Sequence, residues 1–151
     1  MPSVLEVLDN ESDRILERAL DELVRSNEVH YADLGPELAR TRLADLLALV
    51  TSSIAQRDLV PMIEYSTTVA DERFDAGFDI REVQRAFHVL EEAIWERVVD
   101  TVEPSDLAEA IGLVGTVLGA GRDALAREYV SRASKQHVTS LDLGALFRGG
   151  R

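Results

Sequence analysis

The sequence predicts an all-α fold, and three observations carry that prediction. Apolar residues recur near every 3.6 positions in each long segment, and no segment alternates over a strand's length. Helix stop and start residues stand at the joins, most clearly at Gly77–Asp79, Pro36 and Pro61. Hydrophobic residues make up 46% of the chain, which excludes disorder as a description of the whole. A length of 151 residues suits one core. The expected architecture is a single helical bundle of about five helices, globin-like or four-helix-bundle-like. It covers residues 1–135, with 136–151 a short C-terminal tail or docked helix.

The first helix is expected from about Asn10 to Ser26, with Ile15, Ala19, Leu20 and Leu23 inward and Arg14, Arg18 and Arg25 outward. "NEVHYADLG" reads as a polar loop. The second helix opens near Pro36, whose missing N–H is harmless in a first turn, and ends around Arg57. Leu38, Leu43, Leu46, Leu47, Val50 and Ile54 form its apolar face. Pro61 opens the third helix, with Met62, Ile63, Tyr65, Val69 and Phe74 inward.

That helix should stop at Gly77, because glycine tolerates the left-handed conformation that closes a last turn. Asp79 then caps the fourth helix, with Glu82 reaching back to the Asp79 N–H, and Phe78 and Val83 occupy staple positions. Ile80, Val83, Phe87, Leu90, Ile94 and Val98 make one stripe, the strongest periodic signal in the chain. Arg73 is left unexplained by capping. It lies one turn before the stop, within reach of the carbonyls there or of Asp79.

After "TVEPSD", with Ser105 or Asp106 as cap, the fifth helix is expected to run to about Ser134. It carries a large stripe (Leu107, Ile111, Val114, Leu118, Leu125) beside a small one (Ala108, Gly112, Gly115, Gly119, Ala126). Glycine inside a helix costs up to about 1 kcal/mol relative to alanine, so the small stripe implies a return. Close approach of another helix in the same chain, a homodimer seam and a ligand each supply one. The tail "KQHVTSLDLGALFRGGR" breaks the pattern.

Net charge is −12 and uneven: residues 1–120 hold 25 acids and 10 bases, residues 121–151 hold 3 acids and 6 bases. The acidic body would repel phosphate backbones, so no nucleic-acid partner is expected. The basic end (Arg122, Arg127, Arg132, Lys135, Arg148, Arg151) suits either an acidic partner or a solvated helix end. No apolar run reaches the roughly 20 residues of a membrane helix, so no membrane contact is expected either. Cysteine is absent, which removes disulfides and thiolate chemistry and fits a cytoplasmic location.

No catalytic constellation is present: there is no phosphate-binding loop, no nucleophile elbow and no pair of Glu-x-x-His motifs for a di-iron centre. No cofactor and no metal are expected. His88 is the one weak candidate for binding a cofactor, as a single haem ligand; its other reading is a polar histidine bonded to Glu92. Trp95 falls with Val99 and Val102 on a face offset from the main stripe, either a contact surface or a wider buried face.

The segments "YADLGPELARTRLADLLALV", "RDLVPMIEYSTTVADER" and "AGFDIREVQRAFHVLEEAIW" resemble the N-terminal sensor domain of the RsbR-type co-antagonists of the RsbT kinase. Arg73, Gly77, Phe78, Asp79, Leu90 and Ile94 stand where that family has an arginine, Gly-Phe, an acidic cap and a leucine-rich helix. The resemblance spans about half the chain. It implies a non-catalytic, stressosome-like input or regulatory module in cytoplasmic signalling, often dimeric, with a kinase or STAS-type partner. Many family members carry a basic pair where this chain has Glu91 and Glu92. The residues expected to matter are therefore the corner Arg73, Gly77, Phe78, Asp79 and Glu82, and the interface candidates Trp95, Val99, Gly112, Gly115 and Gly119.

Overall fold

The computed structural model describes residues 2–26 and 35–140. Within them lie six helices and no strand: α1 (Val4–Asn10), α2 (Ser12–Arg25), α3 (Pro36–Gln56), α4 (Val60–Asp75), α5 (Ile80–Thr101) and α6 (Pro104–Ser140). The loop around His30, the side chain of His137 and the apolar knot of the tail fall outside the described residues.

The chain is helical earlier than its periodicity indicated. Ser3 caps α1 by accepting the Glu6 N–H at 3.2 Å, and Val4, Val7 and Leu8 enter the core. A break at Glu11 then starts α2. The Glu11 carboxylate is gripped by Arg14 at 3.3 Å and by Arg97 of α5 at 3.0 Å. Glu11 therefore ties the α1–α2 junction to α5.

The α3 face is Ala39, Leu43, Leu46, Leu47, Val50, Ser53 and Ile54, whereas Leu38 is exposed. At its end the Arg57 N–H donates to Ile54 O and the Asp58 N–H to Ser53 O. This is the Schellman closure, with Arg57 where glycine is usual, at φ 52°. A left-handed arginine costs about 1–2 kcal/mol.

The buried face of α4 is rotated from the expected one. Met62, Ser66, Val69, Ala70 and Arg73 are buried, Ile63 is exposed, and Tyr65 and Phe74 are only partly covered. The cause is α6. A Cβ on Gly121 would lie 2.9 Å from Met62 Sδ, 2.9 Å from Phe87 Cε2 and 3.0 Å from Ser66 Oγ. Close approach of helices thus occurs at Gly121 and not along the small stripe. Gly112 and Gly119 have nothing within 4 Å of a Cβ, and Gly115 meets only Glu91 Oε2 at 3.8 Å.

Helix α6 starts at Pro104, earlier than the Ser105 or Asp106 cap expected, and continues to Ser140, past the expected end at Ser134. At 37 residues it is about 55 Å long. It packs beside α4, α5 and α3.

Candidate functional site: the α4–α5 corner

The corner begins with a backbone closure. The Gly77 N–H donates to Phe74 O at 3.1 Å and the Phe78 N–H to Arg73 O at 2.9 Å. Gly77 takes φ 84°, the conformation that L side chains resist. Two residues later α5 starts in a capping box. Asp79 Oδ1 accepts the Arg81 N–H at 3.0 Å, and Glu82 Oε1 accepts the Asp79 N–H at 3.1 Å. Phe78 and Val83, at the staple positions, are both in the core. Burial of two such side chains contributes about 1.5–3 kcal/mol each.

Arg73 is the unusual member. Its side chain is 10% exposed, so its charge is largely withdrawn from water. It does not bond to Asp79 or to the helix-end carbonyls; its own backbone carbonyl performs the closure instead. The guanidinium lies 5.6 Å from the centre of the Phe78 ring and 3.6 Å from the Glu72 carboxylate. A desolvated cation over an aromatic face gains about 2 kcal/mol, which offsets part of the burial penalty.

Helix α6 supplies residues that the sequence did not single out. The Tyr129 hydroxyl donates to Phe78 O at 3.0 Å, and its ring meets Phe74 edge-on at 5.5 Å. Burial, acting chiefly, pushes the Tyr129 phenol up to about 12, so it stays a donor at neutral pH. Arg132 binds Asp71 at 3.0 Å, also binds Asp75, and lies 5.1 Å over the Phe74 ring. One signal was available: Asp71 and Asp75 are four apart on α4, as are the α6 face positions Tyr129 and Leu125. Arg132 and Arg122, read as parts of a solvated or partner-seeking basic end, are both committed inside the chain. Arg122 binds the buried Glu91 at 3.0 Å.

The remaining predicted residues lie elsewhere. Trp95 and Val99 are 40% and 55% exposed on the outer face of α5. His88 is half-exposed on that surface and 2.9 Å from Glu92. Gly112 is exposed on α6, and Gly115 and Gly119 are partly covered. The corner is thus one assembled unit, and the exposed Trp95 and Val99 on α5 lie apart from it. Among the described residues no group of three His, Asp or Glu could hold a metal, and no helix is long and apolar enough to cross a membrane.

The sequence pattern of the RsbT co-antagonist protein rsbRD N-terminal domain matches residues 13–140. The chain belongs to this family. The match takes in α2 through α6, and with them the whole corner. Membership makes it a regulatory signalling domain with protein partners. No curated protein and no solved structure matches the chain.

Proposed function

We propose that this chain is a non-enzymatic cytoplasmic sensor module that passes a signal to a kinase or STAS-type partner by shifting helix packing. The observation that carries the reading is the buried Arg73 at a corner tied to α6, inside the region that matches a co-antagonist family. A charge buried on an aromatic ring, beside exposed ion pairs, is the kind of element whose packing a bound signal could shift. A signal acts on such an element only through unequal affinity for two arrangements of it.

A homodimer built on the outer face of α5 belongs to the same reading. Exposed Trp95 and Val99 on the outer face of α5 support it, since large apolar groups at a surface suit a helix-on-helix contact. Calorimetric titration against the RsbT-type kinases and STAS proteins of the same genome tests the partner. We expect micromolar binding that weakens at least tenfold with Arg73→Met. Absence of binding to every such protein would refute the partner assignment. Sedimentation of wild type and Trp95→Ala tests the dimer, and a strict monomer at high concentration would refute it.

A further inference from the structure

A cavity of about 410 Å³ opens between the end of α3, the turn into α4 and the first half of α6. That volume lies in the range of small-molecule sites. Ile54, Leu59, Leu113 and Val117 give it mostly apolar walls, and Gly112 leaves part of the α6 wall bare.

Ser53 makes the cavity more than a gap in packing. It is 3% exposed, and its Oγ has no hydrogen-bond partner. Other helix hydroxyls here turn back to their own helix: Thr51 to Leu47 O, Ser52 to Leu49 O, Thr67 to Ile63 O. Buried hydroxyls without a partner are rare and call for an occupant. Arg57, four residues on from Ser53, lines the same cavity and forms no ion pair among the described residues. The neighbouring Asp58 is already engaged, with Oδ1 accepting the Val60 N–H at 3.0 Å. A hydroxyl and a guanidinium beside an apolar pocket match one ligand chemistry: an acceptor-rich anionic head on an apolar body.

We propose that this cavity binds a small aliphatic carboxylate, with its head on Ser53 and Arg57 and its chain against Leu59, Leu113 and Val117. Free short-chain acids and apolar amino acids both carry that chemistry. Glu109 at the cavity would favour the amino acid by pairing with its ammonium group. The site is separate from the corner, and the claim of binding stands whether or not the regulatory reading holds.

Titration calorimetry with hexanoate, isovalerate, leucine and 1-hexanol tests it on the full chain. We expect at least one carboxylate to bind, and hexanol to bind at least tenfold more weakly. Ser53→Ala should weaken the carboxylate about tenfold, the loss of one hydrogen bond to a charged group. Arg57→Gly should weaken binding yet raise the melting temperature, because glycine relieves the left-handed backbone. A merely structural arginine would not separate the two readouts in that direction. Gly112→Leu should abolish binding while the protein stays folded by circular dichroism. If no carboxylate binds at millimolar concentration, if hexanol binds as well as hexanoate, or if Gly112→Leu leaves affinity unchanged, the proposal is overturned.

Discussion

Replacing Gly121 by alanine tests the packing of α4 on α6 most directly. Two opposing effects act on this substitution. Alanine in a helix interior gains about 1 kcal/mol over glycine. Against that, the new methyl would sit 2.9 Å from the Phe87 ring carbon and from Met62 Sδ, and 3.0 Å from Ser66 Oγ. Comfortable carbon contacts are about 3.5–4.0 Å, so three neighbours must withdraw together. Met62 could flex in open space, but Met62 and Ser66 are both fully buried and Phe87 nearly so. Overpacking of this kind costs typically 1–3 kcal/mol. The net expectation is a loss of up to about 2 kcal/mol, and a melting temperature lowered by up to roughly 4–8 °C for a chain of this size. Thermal melts followed by circular dichroism, with urea midpoints alongside, measure it. A Gly121→Ala variant that melts higher than wild type would refute the close approach.

Gly119→Ala is the matched control: with nothing within 4 Å of its Cβ, it should stabilise the monomer by about 1 kcal/mol, read as a raised urea midpoint. Gly77→Ala places a side chain at φ 84° and should cost about 1 kcal/mol; an unchanged melting temperature would remove the left-handed stop from the account. Tyr129→Phe deletes the bond to Phe78 O and should cost about 1 kcal/mol, with faster amide exchange at Gly77 and Phe78 as the local readout. The Glu11 carboxyl is held below its ordinary value of 4.5, chiefly by its hydrogen bond from Arg97. A depressed acid stabilises the fold above the unfolded value, and that stability is lost as pH falls through the folded one. Glu11→Gln should therefore flatten the acid side of the stability profile measured by urea melts.

Periodicity shows which residues of a helix share a face, and for α5 that was enough: Val83, Phe87, Leu90, Ile94 and Val98 are all buried. It does not show which neighbour covers a face. On α4 the larger Ile63 and Tyr65 outweighed Ser66 and Arg73 in any reading of hydrophobicity. Yet the small Ser66 and the ring-stacked Arg73 are the ones that fit against α6 and α5. On α6 a run of glycines drew attention to the wrong flank, because Gly121 falls outside that stripe. The corner was legible because capping is local: Gly77, Asp79 and Glu82 act on partners within a few residues. Tyr129 and Arg132 act across more than fifty residues, and no local rule reaches that far. The cavity was hidden for a related reason. Ser53 sits in "TSS", where each hydroxyl has the same apparent chance of folding back on its own helix.

These contacts align α4 with α6 along its length. Leu59, Met62 with Ser66, and Phe74 with Asp71 and Asp75 meet α6 near Val117, Gly121, and Tyr129 with Arg132. The two helices therefore run parallel, in register, with the tightest point between the ends. A helix of 16 residues is about 24 Å long, so the cavity and the corner lie at opposite ends of one rigid rod. At Gly121 the helices lie so close that a Cβ would fall 2.9 Å from Met62 Sδ and from Phe87 Cε2, so this point leaves little room for displacement. A small displacement at the α3–α4 turn would then be carried as a tilt about Gly121, and not absorbed along the way. At the far end it would load the Tyr129 bond and the Arg132 ion pairs. The Arg132 ion pairs lie at a partly exposed edge, where water can replace them at low net cost, whereas the Tyr129 bond is buried. Such a rod transmits position only while its pivot holds. That is why Gly121, more than any glycine of the exposed stripe, is the residue on which regulation through helix packing would depend.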